Sequence, residues 1–195
     1  MGWKYGNRYL SEVEMQNNAL IVRDVLQGEA FTLNAIAAIL GNMEAESTIN
    51  PGIWEGLAPY SGGYGLVQWT PYTKYSNWAG SNWENAGNKQ LSRIVYEFNN
   101  GIQWSTEYGH SVQMTALEFK RSTADVYTLA DAFLRNYENP LVIPQPQRGV
   151  NAEKWFNYLS GHPSPAPPHP DPGPGPEPET SGLEFWMMMK IAGRI

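Results

Sequence analysis

The segment between Thr32 and Pro51 constrains the fold of this chain more than any other. Apolar side chains recur through it at the spacing of one helix face: Ile36, Ile39, Leu40 and Met43. This pattern predicts an amphipathic helix with one buried face. The helix ends before Pro51, because the residue before a proline avoids the helical backbone region. The chain therefore has to build its core around a helix that stops abruptly.

Two carboxylates, Glu44 and Glu46, lie where this helix ends. At about 100° per residue they flank the apolar stripe on opposite sides, so helix geometry does not choose between them. Both fit solvated charges at a helix end, and either fits a reactive carboxylate at the edge of a cleft. Ser47 lies near the centre of the stripe, and we expect its hydroxyl to pack or to bond to the helix backbone.

Six further segments show helical periodicity, which predicts a mainly α fold. A capping box begins at Ser11 and opens the first helix, while Thr123 and Asn151 are expected to cap the last two. Residues 66–69 follow a glycine-rich loop and are predicted to form a short strand. The expected class is mainly α (α+β) with a short β region. The predicted helices cover residues 12–28, 32–50, 71–78, 89–99, 114–120, 123–137 and 151–160.

The composition changes sharply after residue 161. Nine of the fifteen prolines lie within residues 163–178, and such a segment favours extended polyproline II over a packed core. We predict a domain at residues 1–161 and a Pro-rich linker at 162–182, with a ligand for proline-recognising domains as the alternative. Residues 183–195 form a short apolar segment with basic residues. Docking on a partner, contact with a membrane surface and simple packing all fit that segment.

Composition also excludes several kinds of chemistry. The net charge of −6 argues against a nucleic-acid partner. The chain has no Cys, which removes thiolate nucleophiles, and its three His have neither metal-binding nor triad spacing. We therefore expect no metal and no cofactor, and carboxylates remain as the reactive groups. The first eight residues lack the apolar run of a secretory leader, so we expect no signal peptide and delivery by another route.

Four motifs occur in an order that resembles a known family: Gly41-Asn42-Met43, Glu46-Ser47-Thr48-Ile49-Asn50-Pro51-Gly52, Gly65-Leu66-Val67-Gln68-Trp69-Thr70-Pro71 and Tyr137-Glu138-x-Pro140. The second and third resemble lysozyme-like lytic transglycosylases, in which a Glu-Ser pair ends the catalytic helix and a Gly-Leu-x-Gln segment lines the groove. The whole set, over residues 8–161, is similar to phage tail lysins. These are peptidoglycan-degrading domains of tail-tip proteins in phages of Gram-positive hosts.

This resemblance implies a bilobal, lysozyme-like domain that cleaves the glycan strand of peptidoglycan. It further implies other phage tail proteins as partners and a place at the tail tip of the virion, acting on the host cell wall. Two other roles stay open at this point. One is an endolysin released for host lysis, and the other is a catalytically inactive module that binds the wall or serves the tail structure.

The resemblance also places the family's catalytic acid on Glu46 and leaves Glu44 without a catalytic role. Glycosidic cleavage needs a carboxylic acid that is still protonated near neutral pH. Semi-burial beside Met43 is expected to favour that protonated form. By the same resemblance Tyr137 is a candidate for holding the acid in position, with a core tyrosine as the alternative.

Substrate binding and the second catalytic group are less closely defined. Gln68 is expected to bond an N-acetyl group or the pyranose ring, and three aromatic residues are candidates for stacking on sugars or walling the cleft, with the core as the alternative: Trp69, Tyr64 and Trp54. Glu55 and Glu138 are the candidates for a second carboxylate. Hydrolysis needs such a partner, whereas transfer to an anhydro sugar needs only one acid/base, and the sequence leaves both reactions open.

Overall fold

The computed structural model of the protein describes residues 2–165. The predicted segment 183–195 lies outside the described residues, as does the predicted linker from residue 166 onward. The division of the chain at residues 161 and 182 therefore stays a prediction.

The described chain is mainly helical, which confirms the predicted fold class. Its seven α-helices are α1 (Glu12–Gly28), α2 (Leu33–Ser47), α3 (Thr73–Ala79), α4 (Gly87–Asn100), α5 (Ala116–Arg121), α6 (Val126–Phe133) and α7 (Gln147–Ser160). A short 3₁₀ turn, Glu55–Leu57, and a π-helical turn, Leu134–Glu138, complete the regular structure. None of the helices in residues 2–165 combines the length and the apolar character needed to cross a membrane.

Helix α2 is the centre of the core. It contacts α1, α5, α6 and α7, and its side chains from Ala35 to Met43 are buried. The backbone of α7 lies close to α2 at Gly41. A Cβ atom on Gly41 would lie 2.5 Å from the carbonyl oxygen of Arg148 and 2.6 Å from the amide nitrogen of Ala152. The absence of a side chain at Gly41 is therefore what lets the α7 backbone cross α2 at this distance.

The segment between α2 and α3 differs from the sequence prediction, because residues 66–69 do not form a strand. Residues 65–68 form a turn, and Trp69 after it takes part in one of two isolated bridges, Trp54 with Tyr64 and Tyr64 with Trp69. The backbone of Gly65 (φ 79°) and of Gln68 (φ 49°) is left-handed, which an extended strand does not permit. The amide of Leu66 instead donates a hydrogen bond of 2.8 Å to the side-chain oxygen of Gln90.

The beginnings of the last two long helices also differ from their predicted positions. Asp125 rather than Thr123 caps α6, through a bond of 2.9 Å from the amide of Thr128. Helix α7 begins at Gln147, four residues before the predicted cap at Asn151. Pro146, which immediately precedes α7, fits a helix start because it needs no amide partner there. The earlier start brings Arg148 into the first turn of α7.

Gly41→Ala should lower the free energy of unfolding by about 1–3 kcal/mol, because the added methyl group meets backbone atoms that cannot move independently. The measurement is urea unfolding followed by circular dichroism. Gly28→Ala is the matched control, since a Cβ there meets nothing within 4 Å. The control should leave stability unchanged or raise it by about 0.4–1 kcal/mol. Equal effects of the two variants would contradict the close crossing of α2 and α7.

Candidate active site

A polar cleft of about 400 Å³ opens at the end of α2. Its walls come from the carboxyl end of α2, the loops around residues 53–56 and 67–70, the side chain of Lys74 on α3, and the π-helical turn after α6. The volume lies in the range of small-ligand sites. Most of the residues predicted to act in function line this one cleft: Glu46, Trp54, Glu55, Gln68, Trp69, Tyr137 and Glu138.

Tyr64 is the predicted substrate-binding residue that the structure does not bring to the cleft. Its side chain is 1% exposed, and its hydroxyl accepts a bond of 2.7 Å from the amide of Asn85. Its ring contacts Trp54 and Trp83, so it lies behind the cleft wall. Burial raises the pKa of Tyr64 to about 12. Tyr64 thus supports the aromatic wall from within.

Glu46 is held by an arginine that the sequence interpretation did not single out. The guanidinium of Arg148 forms an ion pair with Glu46 and donates a bond of 3.1 Å to the side-chain oxygen of Asn42, one turn earlier on α2. Its Nε donates to Gln145 at 2.8 Å. Arg148 is nearly buried, whereas Glu46 keeps 23% of its side chain exposed. Glu46 therefore faces the cleft with a fixed positive partner behind it, rather than an apolar surround alone.

Glu138 has a contrasting environment. It is the last residue of the π-helical turn and lines the cleft near Glu46. Its Oε1 is buried and has no hydrogen-bond partner among the described residues. Burial, followed by the negative charge of Glu46, raises the pKa of Glu138 well above its ordinary value, and Arg148 only partly opposes this. The cleft thus contains one carboxyl group bound by an arginine and one with a buried oxygen that has no hydrogen-bond partner among the described residues.

Glu55, the other candidate for a second carboxylate, has a structural contact. Its Oε2 accepts a bond of 2.7 Å from the amide of Gly63. A Cβ on Gly62 would lie 2.2 Å from the same oxygen, so the loop closes tightly around the carboxylate. Glu55 lines the cleft, but its contact serves to hold the glycine-rich loop against residues 55–57.

A second buried carboxylate, Glu97 on α4, organises the floor of the cleft. It is 1% exposed and forms an ion pair of 2.7 Å with Arg93. Glu97 also accepts hydrogen bonds from the hydroxyl of Tyr137 and, at 3.3 Å, from the indole nitrogen of Trp69. The hydroxyl of Tyr137 is thus bound to Glu97 and not to Glu46, the acid that it was expected to support. Burial and then Glu97 raise the pKa of Tyr137 well above its ordinary value, so the phenol remains a donor.

The two missed residues had weak signals in the sequence. Glu97 follows Ile94 by three positions, which places a charge on the apolar face of α4. Such a charge needs a buried partner, and Arg93, four residues earlier, supplies one. For Arg148 the signal was Pro146. A proline is common at the start of a helix, so Pro146 indicates an earlier start of α7 that places Arg148 in its first turn.

Gln68 holds a strained turn at the cleft wall. Its side-chain nitrogen donates to the carbonyl oxygens of Gly65 at 3.0 Å and Ile53 at 3.3 Å. The hydroxyl of Ser47 lies 2.8 Å from the carbonyl oxygen of Leu66 and 2.9 Å from that of Met43, which confirms its expected bond to the helix backbone. These contacts fix the turn to the end of α2, directly beside Glu46.

Metal-binding residues do not cluster in the part of the chain that the structure describes: no group of three or more His, Asp or Glu side chains there has an arrangement that could hold an ion. The described cleft residues offer carboxylates, amides and aromatic rings, together with the amine of Lys74.

The sequence matches the family described as phage tail lysozyme over residues 17–159. This match covers most of the chain, and the chain therefore belongs to the phage tail lysozyme family, as its motifs predicted. Among curated proteins it is 46% identical over 162 residues to morphogenesis protein 1 of Bacillus phage B103. The alignment covers 81% of this chain and 43% of that relative, so the chain spans less than half of the relative's length.

Arg148→Met should lower the free energy of unfolding by about 2 kcal/mol, because it leaves Glu46 and the side-chain oxygen of Asn42 without their partner. Denaturant unfolding at pH 7 measures the change. Arg8→Met is the control, since it breaks the ion pair with Glu14 at the surface and should cost less than about 1 kcal/mol. A larger loss for Arg8→Met than for Arg148→Met would contradict the structural role of Arg148.

Proposed function

We propose that this domain cleaves the glycan strand of bacterial peptidoglycan, at the linkage between N-acetylmuramyl and N-acetylglucosamine units, with Glu46 as general acid/base. The observation that carries the proposal is the position of Glu46. Glu46 lies at the end of the central helix and lines the polar cleft. A second carboxyl group, that of Glu138, lines the same cleft. Paired carboxyl groups beside a scissile bond are the usual catalytic groups of glycoside cleavage.

The walls of the cleft fit a sugar polymer. Trp54 and Trp69 line the cleft but are only 6% and 3% exposed, so they form its aromatic wall rather than an open stacking face, and Gln68 and Gln103 supply amide groups along the same cleft. Aromatic faces and a few positioned polar groups are the general means of binding such a ligand. Gln68 remains our candidate for contact with an N-acetyl group, in addition to its bonds within the turn. The proposal covers both hydrolysis and transfer to an anhydro sugar, since each needs an acid/base at this position.

We further propose that the domain acts as part of the phage virion, where a tail-associated enzyme opens the host cell wall. The family is described as phage tail lysozyme, and the relative from Bacillus phage B103 is named a morphogenesis protein. Other tail proteins would then be the partners of this chain, and the particle would deliver the enzyme to the wall.

Glu46→Gln should reduce the clearing of purified Gram-positive cell walls by about 10²–10⁴-fold, because the amide cannot exchange a proton with the substrate. Turbidity loss over time measures this rate. Glu44→Gln is the matched control on the same helix: Glu44 binds Lys154 and Trp155 away from the cleft, and its amide variant should clear walls at the parental rate. Parental activity of Glu46→Gln would overturn the assignment and favour a binding module.

A further inference from the structure

The N-terminal arm, residues 2–10, contributes to the cleft although the sequence interpretation assigned it no role there. The arm forms neither a helix nor a strand, yet its Tyr9 lines the cleft together with Glu46. The match to the phage tail lysozyme family begins at residue 17. The contribution of the arm to the site is therefore not implied by that match.

Two asparagines hold the arm against the rest of the domain. The side chain of Asn50 donates to the carbonyl oxygens of Gly6 at 2.8 Å and of Arg8 at 2.6 Å. The side chain of Asn18 accepts a bond of 2.8 Å from the amide of Lys4 and donates one of 2.7 Å to its carbonyl oxygen. Both asparagines are fully buried, so water competes little for these bonds. The arm is thus held in one place despite its irregular backbone.

The backbone on both sides of Tyr9 is bonded to residues just beyond the end of α2. The carbonyl oxygen of Arg8 is bound by Asn50, and the amide of Leu10 donates a bond of 2.9 Å to the hydroxyl of Thr48. The side chain of Leu10 is buried in the core. The backbone of Tyr9 is therefore already ordered, which lowers the entropy cost of placing its ring against a ligand.

Tyr9 also has an open ring, unlike the other aromatic residues that line the cleft in the described chain. Tyr9 is 63% exposed, whereas Trp54, Trp69 and Tyr137 are buried. Within residues 2–165 the hydroxyl of Tyr9 has no hydrogen-bond partner, and its ring contacts no other aromatic ring. An exposed tyrosine offers an apolar face and a polar tip. A pyranose ring, with its C–H face and its hydroxyl groups, matches both.

We propose that Tyr9 forms a sugar-binding subsite of the cleft, with its ring stacked on the apolar face of one pyranose unit of the glycan strand. This proposal rests on the proposed function and adds a binding residue to the same site. Trp54 and Trp69 do not fill this role, because they are buried in the wall. Tyr9 binds the strand, while Glu46 acts on the linkage.

Tyr9→Ala should weaken binding of the whole chain to purified Gram-positive peptidoglycan by about tenfold. Co-sedimentation over a range of peptidoglycan concentrations measures this affinity. The variant should raise the KM of wall clearing by a similar factor and leave kcat within about twofold, because Tyr9 contacts the substrate equally before and during bond cleavage. Tyr9→Phe should keep most of the affinity, since the face of the ring is unchanged.

Tyr5→Ala is the matched control. Tyr5 lies on the same arm and is 52% exposed, but it is outside the cleft lining. This variant should change neither the affinity nor KM. Both alanine variants should keep the melting temperature of the wild type, because substitutions of exposed side chains rarely change stability.

An unchanged affinity and KM for Tyr9→Ala, with the wild type cutting glycan, would overturn the subsite and leave the proposed function standing. A loss of affinity in Tyr5→Ala equal to that in Tyr9→Ala would also overturn it, because the effect would then belong to the surface of the arm. An equal loss in Tyr9→Phe would rule out stacking on the ring. A wild type that does not bind peptidoglycan would overturn the subsite directly. If the wild type binds peptidoglycan but releases no glycan fragments, the proposed function fails, and the affinities of the Tyr9 variants still decide whether the subsite exists.

Discussion

The ion pair between Arg148 and Glu46 joins the core of this domain to its cleft. It forms because α7 crosses α2 closely enough for the guanidinium to reach both Asn42 and Glu46. That crossing in turn depends on Gly41, where any side chain would meet the α7 backbone. Arg148 thereby fixes the orientation of Glu46 at the end of the apolar helix α2, while part of the Glu46 side chain faces solvent. The same arginine contributes the only positive charge that the structure brings into direct contact with a cleft carboxylate among residues 2–165.

A second ionic network, centred on Glu97, lies beneath the cleft and positions aromatic side chains. Glu97 ties together Arg93, Tyr137 and Trp69, which come from α4, the π-helical turn and the cleft wall. Because Glu97 is buried and fully bonded, it fixes the directions of two cleft-lining rings without offering a carboxylate to the cleft. The last two side chains of the π-helical turn point in different directions. Tyr137 bonds to Glu97 beneath the cleft, whereas Glu138 lines the cleft. Turns of this kind occur often at functional sites.

The sequence predicted the elements whose signals are local. The apolar stripe of α2, the capping box at Ser11 and the end of the helix before Pro51 all depend on neighbours within one or two turns, and all are found in the structure. Residues 66–69 failed as a strand because their conformation is decided by distant groups, Gln90 and Ser47, which bond to Leu66. Arg148 was missed for the same reason, since its partners precede it by about a hundred positions. Seven of the predicted site residues do line one cleft. The bonding partner of each, however, depends on tertiary contacts that local sequence patterns do not show.

The central claim is that this cleft breaks the glycan strand of peptidoglycan. Mass spectrometry of the fragments released from purified Gram-positive cell walls tests it most directly. The account predicts fragments with newly formed glycan ends, reducing if the reaction is hydrolysis and anhydro if it is intramolecular transfer, and their absence with Glu46→Gln. Intact glycan strands with cut peptide bridges would contradict the account. So would the absence of released fragments when the whole chain is folded.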